Sequence, residues 1–211
     1  MKKALLVISF GTSYPDTCEK NIVACEQRLS SAFPDRTLFR AFTSEMIIRK
    51  LAKRDGLHIC NPQQALAELA AAGYQDVLIQ SLHVINGDEF EKIVTQVDAF
   101  RARFLKIGIG LPLLSSHDDF EQLIDAMQAQ APQLASDERV VFMGHGATHH
   151  AFAAYACLDH MLMTRNLPLL VGAVESYPEI DTVVARLKRD GVRKVHLMPL
   201  MLVAGDHAIN D

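Results

Sequence analysis

Three side chains in the second half of this 211-residue chain have the types and placement to hold a divalent metal. They are His145 in Met143-Gly-His-Gly146, Glu175 in Val174-Glu-Ser-Tyr-Pro178 and His207 in Gly205-Asp-His207. Each follows a separate apolar run with the character of a buried β-strand, and open parallel α/β sheets bind ligands beyond the carboxyl ends of their strands. Two imidazoles and a carboxylate suit a borderline ion such as cobalt, nickel, iron or zinc. A neutral imidazole can also accept a proton near neutral pH. The glycines flanking His145 allow the backbone to approach a ligand closely. Each residue has a second, purely structural role open to it. His145 can bond its own turn, Glu175 can cap the helix that begins near Pro178, and His207 can be an exposed loop residue.

The case for His207 comes from a repeat. Gly73-Tyr-Gln-Asp-Val77 through Leu82 to Gly87-Asp88-Glu89 returns as Gly191-Val-Arg-Lys-Val195 through Leu200 to Gly205-Asp206-His207, at constant spacing. Ile8–Gly11 falls opposite Met143–Gly146, and Ala41–Ser44 opposite Ala173–Ser176. Where the second half carries its candidate ligands, the first offers Phe10, Thr43 and Glu89, an apolar surface with one carboxylate. Glu89 also suits the first turn of a helix, where the dipole favours an acid. His149 lies four residues after His145, which would pair them on a helix, but the intervening residues have loop character. His83 and His196 fall within expected strands, as satisfied core groups.

The elements that must position these residues alternate strand and helix. Strands are expected at Ala4–Phe10, Thr37–Thr43, Asp76–Val84 and Ile107–Leu114, then at Arg139–Met143, Leu169–Glu175 and Lys194–Val203. Amphipathic helices are expected between them. Continuous apolar strands in this order predict an α/β protein with parallel sheets covered on both faces. The repeat predicts two similar Rossmann-like half-domains related by pseudo-two-fold symmetry, residues 1–130 and 138–211, joined by the Pro- and Ser-containing stretch between them. The second half stops short of the first half's last elements, so about 45–55 further residues are expected beyond Asp211.

Composition narrows the function. A formal net charge of −4 argues against a nucleic-acid partner. The four cysteines, Cys18, Cys25, Cys60 and Cys157, form no Cys-x-x-Cys pair and are expected as reduced thiols. The apolar start runs straight into Gly11-Thr-Ser-Tyr-Pro-Asp16 with no signal-type cleavage site, and no apolar run approaches membrane-spanning length. A cytoplasmic location is expected, with no membrane partner; a homo-oligomer remains open. The phosphate loop of ATP-binding proteins, the dinucleotide fingerprint and the hydrolase nucleophile elbow are all missing from the sequence, so no nucleotide cofactor is expected.

Five motifs in order resemble the anaerobic cobalt chelatases of cobalamin biosynthesis. They are Ser9-Phe-Gly-Thr-Ser13, Gln80-Ser-Leu-His-Val-Ile-Asn-Gly-Asp-Glu-Phe90, Met143-Gly-His-Gly146, Val174-Glu-Ser-Tyr-Pro178 and Pro199-Leu-Met-Leu-Val-Ala-Gly-Asp-His207. These are ATP-independent enzymes with a ferrochelatase-like fold of two α/β domains around a cleft. The resemblance implies insertion of Co(II), a substrate metal, into sirohydrochlorin or its reduced form precorrin-2. It implies metal ligation by His145, Glu175 and His207, with His145 as proton acceptor. It also makes Glu89 a catalytic and substrate-binding residue, and Phe10, Thr12 and Tyr14 contacts to the macrocycle. Iron or nickel insertion into the same tetrapyrrole, and a carrier without turnover, are the alternatives. The basic residues Arg49, Lys50, Lys53 and Arg54 fit a solvated helix face better than a carboxylate clamp.

Overall fold

The computed structural model describes residues 1–203. The first compact unit comprises Met1 to Leu113 together with Leu202 and Val203. Its strands are β1 (Lys2–Ser9), β2 (Thr37–Phe42), β3 (Tyr74–Ser81) and β4 (Lys106–Gly110). They pair in parallel in the order β2-β1-β3-β4. The central position of β1 explains its sequence: Ala4 to Ile8 are fully buried, as a strand covered on both faces requires. Each such aliphatic side chain contributes about 1.5–3 kcal/mol by leaving water.

Helices flank the sheet: α1 (Pro15–Thr17), α2 (Ala24–Ala32), α3 (Glu45–Asp55), α4 (Pro62–Ala71) and α5 (Asp88–Phe100). A π-helical segment, Cys18–Val23, joins α1 to α2. The starts of α3 and α4 follow from local chemistry. Ser44 Oγ accepts from the Ile47 N–H, and Asn61 with Gln64 forms a reciprocal capping box ahead of Pro62. Helix α2 carries the buried Glu26, whose carboxylate accepts two hydrogen bonds from Arg40 on β2, at 2.7 and 2.5 Å. At the amino ends of the strands Arg36 binds the Ala4 and Asp76 carbonyls and the Asp76 carboxylate.

The second compact unit spans Leu114–Met201. It contains α6 (His117–Gln130), β5 (Glu138–Gly146), α7 (Ala153–Thr164), β6 (Leu169–Glu175), α8 (Ile180–Arg189) and β7 (Lys194–Pro199). Its sheet has the order β6-β5-β7, again parallel. This repeats β2-β1-β3 strand for strand, so the doubled sequence phrase corresponds to a doubled topology. The Asp159 carboxylate ties the unit together. It accepts from the Val171 N–H on β6 at 2.9 Å and from Arg186 on α8 at 2.6 Å. Leu202 and Val203, past the end of β7, belong to the first unit and pack within it on Ile22, Phe42, Ile47 and Leu51.

Candidate functional site

In the second unit the candidate ligands stand on adjoining strand ends. His145 is the penultimate residue of β5 and Glu175 the last of β6. Gly146 pairs in register with Glu175, so the two side chains leave neighbouring strands at one end of one sheet. Strand β5 runs three residues past the expected end at Met143, through the Gly-His-Gly sequence itself. His145 therefore sits on a strand end rather than in a loop, which removes any helical pairing with His149. His149 instead caps a 3-10 turn, its Nδ1 accepting from the Ala151 N–H at 3.2 Å.

Both candidate ligands are solvent-exposed. The His145 Nδ1 lies 3.3 Å from the Gly146 carbonyl oxygen. With a proton on Nδ1 this contact is a hydrogen bond, and Nε2 carries the lone pair a metal needs. The turn-bonding and ligand roles of His145 are thus compatible. Glu175 does not cap the following helix: Glu179 occupies the N-cap of α8, without a side-chain hydrogen bond. The chain turns back after Glu175 through Ser176 (φ 69°) and a cis Tyr177–Pro178 bond, and the Pro178 carbonyl accepts from Ala173 N–H at 2.8 Å. Two residues of the proposed set thus stand on adjoining strand ends; His207 lies outside the described residues.

The first unit presents a different surface at the carboxyl ends of its strands. Phe10, directly after β1, is 44% exposed, a large apolar ring facing solvent. Thr12 is buried and its Oγ1 accepts from the Tyr14 N–H at 3.2 Å. The Lys50 ammonium lies 5.7 Å from the centre of the Tyr14 ring, within cation–π range. Of the other basic residues, Arg54 pairs with Asp55 and donates to the Ser13 carbonyl at 2.6 Å. Glu89 occupies the first turn of α5 and pairs with Lys92 at 2.6 Å. Partial burial pushes its carboxyl pKa up, but Lys92 and the Thr43 hydroxyl outweigh burial and the net shift is downward. The Thr43 oxygen stands close enough to Glu89 to act on it, yet makes no hydrogen bond of good geometry.

His83 is the residue the sequence reading misplaced. Strand β3 ends at Ser81 rather than Val84, so His83 lies beyond the strand, at the same end of the sheet as Glu89. It is not a fully satisfied core group. The Ser81 hydroxyl oxygen accepts from the His83 backbone N–H (3.3 Å) and meets His83 Nδ1 at 2.9 Å, in a contact whose direction follows the ring tautomer. The other ring nitrogen, Nε2, is buried without a hydrogen-bond partner. Ser9 Oγ, at the end of the neighbouring β1, and Thr43 Oγ1, directly after β2 on the far side of β1, share this state. A hydroxyl two residues before an imidazole, Ser81-x-His83, is the sequence signal that marks the site. His196, by contrast, meets Glu138 at 2.9 Å within β7 and is paired as expected.

Burial lowers the His83 pKa from 6.5 to about 4, against a smaller opposing effect of Glu89. The folded pKa lies below the unfolded one, so the unfolded chain binds the extra proton between them. This contribution to stability is complete above pH 6.5 and is lost as pH falls toward 4. It amounts to roughly 3 kcal/mol. Urea denaturation of the wild-type chain should show that decline. His83→Gln should flatten it, and the wild-type imidazole should not titrate by NMR between pH 8 and 5.

Parallel α/β units with imidazole and carboxylate side chains at the carboxyl ends of their strands have the donor types that a metal-handling enzyme needs. A sequence model of the cobalt chelatase (CbiK) family matches residues 3–211, and the chain belongs to that family. It is 67% identical over all 211 of its residues to a sirohydrochlorin cobaltochelatase of Salmonella typhimurium, spanning 80% of that protein. It is 33% identical over 217 aligned positions to the sirohydrochlorin cobaltochelatase CbiKC of Nitratidesulfovibrio vulgaris, spanning 75% of that protein. Among the described residues no helix is long and apolar enough to cross a membrane.

Proposed function

We propose that this protein inserts Co(II) into sirohydrochlorin, or precorrin-2, without nucleotide, in the anaerobic route to cobalamin. The observation that carries the reading is the pairing of Gly146 with Glu175, which sets an imidazole and a carboxylate on adjoining strand ends in a chain of the CbiK family. Metal insertion replaces two pyrrole N–H protons by one dication, so the site must hold the metal loosely and take protons away. His145, Glu175 and His207 hold Co(II) through a set that leaves coordination positions for the macrocycle nitrogens. His145 Nε2 becomes the proton acceptor once the metal has passed from it to the macrocycle nitrogens, and Glu89 is a second acid–base group. Phe10, Thr12 and Tyr14 contact the macrocycle.

An absorbance assay tests this directly. Sirohydrochlorin mixed with Co(II) and the protein, without ATP, should convert to the cobalt complex faster than without protein. Parallel reactions with Fe(II) and Ni(II) rank the metals. No protein-dependent spectral change with any of the three would remove the chelatase assignment.

A further inference from the structure

We propose that Tyr155 is a positioning residue for the metal-binding end of β5 and β6, its ring and hydroxyl together setting the backbone that presents His145 and Glu175. This rests on the assignment of the metal to those two residues. Tyr155 lies in the first turn of α7 and is 2% exposed, among the largest fully buried side chains of the protein. Its ring lies directly on Gly144: a Cβ there would stand 2.4 Å from the ring carbon Cε1. Its phenolic oxygen stands close enough to the Gly146 backbone N–H to be acted on by it. One side chain therefore grips the backbone on both sides of His145. Gly146 in turn lies against Glu175, where a Cβ would come 1.6 Å from the carbonyl oxygen.

A phenylalanine would fill the same core space, so packing alone does not account for the hydroxyl. Burying a hydroxyl is costly unless a polar group answers it, and the Gly146 N–H of the Gly-His-Gly backbone is the group that acts on this one. The helix that carries it is itself fixed. Asp159, one turn further along α7 and on the same face, binds the β6 backbone and Arg186. Tyr155 thus transmits the position of a pinned helix to the strand end that carries the imidazole, in the manner of groups that orient metal ligands from behind.

Tyr155→Phe, which keeps the ring, is the test, read by Co(II) titration and the visible ligand-field spectrum of the bound ion. The expected result is Co(II) affinity lower by about 10-fold, an altered spectrum and a reduced kcat, with KM for sirohydrochlorin unchanged. Gly144→Ala, which pushes on the same ring from the strand side, should give the same spectral change. An unchanged isotherm and spectrum in Tyr155→Phe, with only a lower denaturation midpoint, would overturn the proposal and leave Tyr155 a core residue. His145→Ala separates the two ideas. If it leaves the Co(II) spectrum untouched, the metal assignment itself is wrong; if it abolishes the spectrum while Tyr155→Phe does nothing, only the role of Tyr155 fails.

Discussion

His145→Ala is expected to reduce cobalt insertion by about 10²- to 10⁴-fold while leaving sirohydrochlorin binding and the fold intact. The fold should survive because His145 is exposed at the end of β5 and contributes little packing. Its flanking residues, not its own ring, carry the close backbone contacts. The chemistry should not survive, because the substitution removes a metal ligand and the acceptor for a pyrrole proton together. The comparison that decides between turnover and carriage is the split between the two readouts. A chelatase loses the rate of spectral conversion and still quenches or shifts the tetrapyrrole on binding. A carrier loses metal affinity and little else. Near wild-type turnover in this variant would move the proton-accepting role to another group, with Glu89 the first to examine by Glu89→Gln.

The repeat was legible because both copies encode the same strand and the same exit from it. Gly73 and Gly191 each adopt a positive φ (77° and 68°) in the turn before their strand, and Gly11 (94°) just after β1 and Gly146 (85°) as the last residue of β5 do so at the exit. Parallel strands buried on both faces are continuous apolar runs, so β1, β5 and β6 stand out in the sequence. Strand ends were harder, since apolar character continues past the last ladder hydrogen bond. Leu82 and Val84 extend the apolar pattern of β3 after its pairing stops at Ser81, which hid His83 from view. In β5 the error ran the other way: glycines suggested a loop, whereas Gly144 and Gly146 stay in the ladder opposite Ala173 and Glu175. Contacts between distant segments left no local trace. Nothing around Tyr155 in sequence announces that its ring lies on Gly144, because that contact exists only once α7 has folded back on β5.

Gly146→Ala is expected to damage stability and chemistry together, and the reason lies in two independent constraints. The residue has φ +85°, where an L side chain is strained, which alone costs about 1 kcal/mol. The added Cβ would also stand 1.6 Å from the Glu175 carbonyl oxygen and 2.6 Å from its carbonyl carbon. These are backbone atoms of a paired strand, so no side-chain rotation relieves the clash. Either β5 or β6 must move at its end, adding about 1–3 kcal/mol. Both strands carry a candidate ligand at that point, so the displacement falls on His145 or Glu175 directly. A shift near 1 Å at a reacting group is enough to cost about 10²-fold in rate. Gly191→Ala supplies the control. Its φ is +68° but a Cβ there meets nothing within 4 Å, so only the conformational cost applies. Urea denaturation should therefore show a small loss for Gly191→Ala and a several-fold larger one for Gly146→Ala. The insertion assay should show full turnover in the first and little in the second. Equal activity in the two variants would mean that the junction of β5 with β6 does not set the ligand geometry.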